Sequence, residues 1–189
     1  MKNDYYNDKE SVDRYTEMAK DMNGSALIEK LKSFLPAGSS VLEIGSGPGT
    51  DWKILKRDYL VTGSDYSSEF LKRLIALNPG GNFLELDAIS LNTELKFNAI
   101  YSNKVLHHLK DKELNQSIKR QAEILKPHGI ICHSFWKGKG SEIFNGLFVN
   151  NHTEEDLLKF FKDKFDILLI EHYPEFEKDD SLLLIAKKK

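Results

Sequence analysis

Three short segments of this chain bring together residue types that hold a nucleotide-like ligand. The first is VLEIGSGPGTD (41–51), where an apolar, β-prone run meets glycines at 45, 47 and 49. Gly45, Gly47 and Gly49 remove side chains where a ligand would lie against the main chain. Strand, glycine-rich turn and helix start, in that order, place such a ligand at the carboxyl end of the first strand. The second segment, GSDYS (63–67), sets Asp65 at the spacing where an acid ending strand two meets ribose hydroxyls. A carboxylate accepts two hydrogen bonds from a vicinal diol. Its alternative role is to cap the next helix, for which Ser67 competes. The third, LELDA (84–88), ends in Asp87 and Ala88. A carboxylate there accepts from an adenine amino group while a neighbouring backbone N–H donates to the ring.

These groups act together only if successive strand ends lie side by side. Strands are predicted at 41–44, 59–63, 82–86, 97–102 and 130–135. Helices are predicted between them at 51–57, 67–77 and 111–125, the last ended by Pro127 and Gly129. Such alternation implies parallel crossovers and a sheet covered on both faces. Thr153 then caps a helix reaching about residue 164, with Glu154, Glu155 and Asp156 favourably placed in its first turn. The last two strands, 165–172 and 181–187, are joined by too few residues for a crossover and must be antiparallel. Ahead of the first strand, Val12, Tyr15, Met18, Leu27, Ile28, Leu31 and Phe34 follow a helical period broken near Asn23-Gly24. The expected fold is a doubly wound α/β domain with a mostly parallel seven-stranded sheet, a C-terminal antiparallel hairpin and an N-terminal helical cap. One domain is expected over 1–189, with the cap at 1–35 and a Rossmann-like core at 36–189.

Together with FNAIYSNKVLHHL (97–109), LKPHGIICHSFW (125–136) and the closing hairpin, these segments resemble the class I S-adenosylmethionine-dependent methyltransferases. The resemblance spans nearly the whole chain and implies S-adenosylmethionine as cofactor. It implies that Gly45, Ser46, Gly47 and Gly49 surround the methionine portion, with Glu43 organising the loop and the ligand's ammonium. Asp65 would take the ribose hydroxyls, Tyr66 would lie against the adenine, and Asp87 and Ala88 would read its edge. Ser102 would offer its carbonyl near the ammonium with Asn103 beside it, and Tyr15 would close over the methionine carboxylate. Asn98 stands where many relatives carry Asp, at the start of its strand and away from the cofactor edge. The nearest rival, a nicotinamide enzyme, prefers G-x-G-x-x-G, but Thr50 occupies the third glycine's place.

Methyl transfer from an activated sulfonium needs the nucleophile held in line, and positioning alone supplies ~7–11 kcal/mol. A base is needed only where the acceptor must lose a proton early. His107 and His108 are the candidate bases; each has an alternative role in packing or in seating the helix after it. Trp136 and Phe148 are candidate walls of the acceptor site, and Tyr5 and Tyr6 candidate covers. Phe144, Leu147 and Phe148 lie on a segment expected to serve as lid or core. No metal site is expected, since the six histidines show no zinc-ligand spacing. Cys132, in an apolar run, reads as a buried thiol.

Composition narrows the acceptor. Net charge is −2, and residues 153–180 carry 10 acidic against 4 basic side chains, which disfavours a polyanionic partner. A small-molecule acceptor is the first expectation. Protein or RNA acceptors, and a cofactor-binding protein without transferase activity, are the alternatives. No apolar run approaches the ~18 residues of a membrane span, and the first residues show no apolar signal region, so no membrane association and a cytoplasmic location are expected.

Overall fold

The computed structural model describes residues 8–20, 22–144 and 146–189. Helices α1 (Lys9–Met18) and α2 (Ser25–Lys32) flank the break at Asn23-Gly24. Then β1 (Ser40–Ile44), α3 (Thr50–Leu55), β2 (Leu60–Asp65), α4 (Ser68–Leu77), β3 (Asn82–Glu85) and β4 (Phe97–Asn103) follow in turn. A 3-10 turn at Leu106–His108 leads into α5 (Asp111–Ile124) and β5 (Leu125–Trp136). A short hairpin, β6 (Ser141–Phe144) and β7 (Leu147–Asn150), precedes α6 (Glu154–Phe161), β8 (Phe165–Tyr173) and β9 (Ser181–Lys188).

The seven-stranded sheet has the order β3-β2-β1-β4-β5-β9-β8. Strands β1 to β5 pair in parallel, and β9 runs antiparallel to both β5 and β8, as the short connection requires. Because the order departs from β1 in both directions, the crevice beyond the carboxyl ends of β1 and β4 is the place where this class of sheet takes a ligand.

Side-chain alternation splits the core into two layers. On one face Leu42, Ile44, Ile100, Ile131, Phe135, Leu182 and Leu184 pack with Leu114 and Ile118 of α5 and Leu157 and Phe161 of α6. On the other, Val41, Val61, Ala99, Tyr101, Cys132, Leu183 and Ile185 meet Leu27, Ile28 and Leu31 of α2 and Trp52 and Leu55 of α3. Cys132 is fully buried, as expected. Asn98 sits at the opposite edge from the crevice, where its Oδ1 accepts from the Ser40 amide and hydroxyl at 3.1 and 2.8 Å.

Two elements differ from the sequence expectation. Helix α5 stops at Ile124 and β5 begins at once, because Pro127 disfavours helix at the residue before it. Phe97 pairs with Leu125 but Ala99 pairs with Ile130, so the chain around Pro127 bulges out where proline has no N–H to give the ladder. No strand is expected between 136 and 153, yet β6 and β7 pair there. Phe144 on this hairpin is 61% exposed and is not core.

Candidate active site

The glycine turn after β1 is fastened to β2 by hydrogen bonds that its sequence supplies. The Ser46 amide donates to the Ser64 carbonyl at 2.8 Å, and the Ser46 hydroxyl donates to Glu43 Oε2 at 2.6 Å while accepting from the Ser64 amide. The Gly47 amide donates to Asp65 Oδ2 at 2.8 Å. Gly45 and Gly49 are required by space as well as by their φ of 70° and 81°. A Cβ on Gly45 would lie 2.6 Å from a Val105 methyl, and one on Gly49 would collide with Leu74.

Three carboxylates converge behind this turn. Glu43 is 2% exposed, and burial, with repulsion from Asp51 and Asp65, pushes its carboxyl up to about 8. Burial also raises Asp65, against the pull of backbone amides at Ser67, Gly47 and Tyr66. Asp65 thus does more than the sequence implies: Oδ1 accepts from the Ser67 amide and Oδ2 clamps the glycine turn. The helix cap itself falls to Ser67, whose hydroxyl accepts from the Phe70 amide.

Asp51 is the residue that sequence reasoning passed over. Its carboxylate accepts from the Gly24 amide at 2.6 Å, the Tyr101 hydroxyl at 2.8 Å and Asn103 Nδ2 at 3.1 Å. It therefore ties the α1–α2 joint to the ends of β1 and β4. An acid in the first turn of a predicted helix reads as a dipole partner, and only the fold reveals that it is buried. Among the described residues no Lys or Arg pairs with Glu43, Asp51 or Asp65.

Tyr15 of α1 stands over the turn, with Cε1 3.7 Å from where a Cβ on Gly47 would lie, and packs edge-on against Phe70. Burial and the charges of Asp65, Asp51 and Glu175 push its phenol up. Tyr66 follows β2 and is half-buried. At the end of β3, Asp87 Oδ1 accepts from the Ile89 amide at 2.7 Å, and the Ala88 carbonyl accepts from the Ser117 hydroxyl at 2.6 Å. Ser102 is fully buried at the end of β4, and Asn103 Oδ1 accepts from the Ser134 hydroxyl.

Beyond the ends of β4 and β5 lies a second group of side chains. The His107 and His108 rings are 4.0 Å apart. His108 Nδ1–H donates to the Phe148 carbonyl at 2.7 Å and so pins β7, while His107 is 3% exposed and its Nδ1 has no hydrogen-bond partner among the described residues. Burial lowers both imidazoles, His107 strongly, so each is neutral at ordinary pH. Lys104, also missed from sequence, adopts φ 54° and lays its ammonium 3.2 Å from the Trp136 ring centroid. That ammonium donates to Ser181 Oγ and lies 3.6 Å from Glu175, and burial lowers it to about 8. Phe176 stacks on Trp136. Tyr5 and Tyr6 lie outside the described residues, and no cluster of His, Cys, Asp or Glu suited to a metal occurs among the described ones.

A family model described as a methyltransferase domain matches residues 41–129, from β1 through the start of β5. That segment is similar to a methyltransferase domain, and the chain shares the fold of solved S-adenosylmethionine-dependent methyltransferases. It is 31% identical over 141 residues to the malonyl-[acyl-carrier protein] O-methyltransferase of Calditerrivibrio nitroreducens, a match covering 71% of this chain and 55% of that protein. The chain thus spans little more than half of that curated relative. Among solved structures, an S-adenosylmethionine-dependent methyltransferase from Clostridium acetobutylicum superposes with a TM-score of 0.78 at 14% identity, covering 93% of this chain and 98% of that one. The 1,6-didemethyltoxoflavin-N1-methyltransferase of Burkholderia thailandensis, solved with bound 1,6-didemethyltoxoflavin and S-adenosylhomocysteine, gives 0.79 at 19% identity over 95% of this chain and 84% of that one.

The chain gathers Tyr15, Glu43, the glycine turn and Asp65 at one end of the crevice, and Ser102 and Asn103 beside them. Asp87 and Ala88 follow β3 on the flank, and Trp136, Phe148 and the two histidines form the other end.

Proposed function

We propose that this methyltransferase transfers the methyl group of S-adenosylmethionine to a small-molecule acceptor in the cytoplasm, by direct in-line displacement. The observation that carries the reading is the set of carboxylates, buried Glu43 and Asp51 and half-buried Asp65, gathered around a glycine-rich turn without a basic partner among the described residues. Buried acids are costly unless paired, and a ligand bearing an ammonium, a sulfonium and a ribose diol supplies partners of the right kind. When bound, that cofactor contributes an already activated methyl group. Glu43 and the Ser102 carbonyl then face the ammonium, Asp65 the diol, and Asp87 with the Ala88 amide the adenine edge. Tyr15 closes over the turn from α1 of the N-terminal cap. At the other end, Trp136 and Phe148 wall the acceptor, and His107 or His108, each neutral, is free to take a proton where the acceptor must lose one. Support for a small acceptor comes from the acidic excess of 153–180. Among the described residues no helix is long and apolar enough to cross a membrane.

Titration calorimetry tests the reading. S-adenosylhomocysteine should bind and NAD should not, and Asp65→Ala should weaken binding by about 1–3 kcal/mol, the cost of charged hydrogen bonds. Binding of NAD in place of S-adenosylhomocysteine would overturn it.

A further inference from the structure

A chain of buried polar side chains runs through the α5 side of the core, between two of the strand ends already described. The Ser117 hydroxyl donates to the Ala88 carbonyl at 2.6 Å, and Gln121 Nε2 donates to Ser117 Oγ at 3.1 Å. Gln121 Oε1 lies 2.8 Å from His133 Nε2, and His133 Nδ1 lies 2.8 Å from Ser102 Oγ. Ser102, Ser117, Gln121 and His133 are all at 0% exposure, among the apolar side chains that α5 and α6 pack on the sheet.

Every proton in this chain has one place. The Ala88 carbonyl only accepts, so Ser117 must donate to it and therefore accept from the Gln121 amide nitrogen. The Gln121 oxygen then faces His133, which must donate from Nε2. A neutral imidazole has a single N–H, so Nδ1 accepts and Ser102 donates. Burial pushes His133 down to about 3, which keeps the ring neutral and the direction of the chain fixed. Apolar side chains of similar shape would fill this space at little cost in stability, so stability alone does not account for the arrangement.

We infer that Ser117, Gln121 and His133 are positioning residues that fix the Ala88 loop and the end of β4 relative to each other, so that the adenine and amino-acid ends of the cofactor are held as one unit. Arg120 supports the same loop, donating to the Leu91 and Thr93 carbonyls at 3.2 and 2.6 Å, so α5 braces the 87–93 segment twice. The inference rests on the cofactor reading above.

The test compares S-adenosylhomocysteine with 5′-methylthioadenosine, which lacks the amino-acid portion, by calorimetry. In the paired variant Gln121→Leu/His133→Phe, Ser117 still holds Ala88 but the link to Ser102 is gone. S-adenosylhomocysteine affinity should fall about tenfold or more while 5′-methylthioadenosine stays within about threefold, with little change in melting temperature. Ser117→Ala, a small truncation that folds independently of the paired variant's success, should weaken both ligands alike, by about fivefold. Wild-type affinity for both ligands in either folded variant would overturn the inference. Failure of the wild-type protein to bind S-adenosylhomocysteine would instead overturn the cofactor reading.

Discussion

Glu43 is a carboxyl whose free energy depends on what arrives beside it. Its folded value, about 8, lies far above the ~4.3 of an unfolded glutamate. Between those values the folded chain keeps a proton that the unfolded chain has lost. Stability therefore falls as pH rises through that window and levels off above it. A neighbouring ammonium reverses the preference by favouring the carboxylate. S-adenosylhomocysteine should accordingly bind with release of a proton and tighten from about pH 6.5 to about 8.5, by up to ~10-fold per pH unit. Calorimetry in buffers of different protonation heat measures the released proton directly. Glu43→Gln still accepts from the Ser46 hydroxyl but cannot titrate, so it should flatten the pH dependence. A slope unchanged in that variant would assign the proton to another group. Asp51 shows why such chemistry is only partly legible in a sequence. The acid at position 65 announces itself by its distance from the glycines, whereas Asp51 acquires its three donors from segments at 24, 101 and 103 that only folding brings together.

At the scale of elements, the alternation of strands and helices and the antiparallel closing pair are written in local pattern and connection length, and they appear as expected. The β6–β7 hairpin was not legible, because its strands carry exposed apolar and charged residues without clean alternation and depend on outside support. That support comes from His108, bonded to the Phe148 carbonyl, and from Asp111, whose Oδ1 accepts from Asn150 Nδ2 at 2.8 Å. The break between α1 and α2 was legible as Asn23-Gly24, but its reason was not. A Cβ on Gly24 would collide with the Tyr101 hydroxyl and come within 2.5 Å of Asp51 Oδ2. Gly24→Ala should therefore cost about 1–3 kcal/mol of stability, as overpacking does. It should also weaken S-adenosylhomocysteine several-fold, since α1 carries Tyr15 away from the turn. Thermal melts and calorimetry on the same preparation check both effects. Retained affinity in a destabilised variant would show that α1 closes over the turn independently of the joint.

Across the whole molecule the sheet divides its labour about β4. Tyr15, the loops after β1, β2 and β3 and the end of β4 carry the groups assigned to the cofactor, and Lys104, the ends of β5 and β8 and the start of β9 converge on the opposite side of the crevice. Lys104 is the clasp of that second side. Its ammonium reaches from the end of β4 to Trp136 at the end of β5, to Ser181 at the start of β9, and to Glu175 in the β8–β9 connection. The connection is itself wound around Asp180, whose carboxylate accepts from the amides of Glu175, Phe176 and Glu177. Replacing Lys104 by Met keeps a side chain of similar reach on the indole face but leaves Glu175, 15% exposed, without its cation. The variant should lose about 1–3 kcal/mol of stability. S-adenosylhomocysteine affinity should stay within about threefold, because the ammonium's own partners, Trp136, Ser181 and Glu175, are not among the groups assigned to that ligand. Turnover of an acceptor, followed as S-adenosylhomocysteine release, should fall about tenfold or more, since misplacing the acceptor forfeits positioning. If cofactor affinity fell in step with turnover, the two sides of the crevice would be one site, and Lys104 would belong to the cofactor's half.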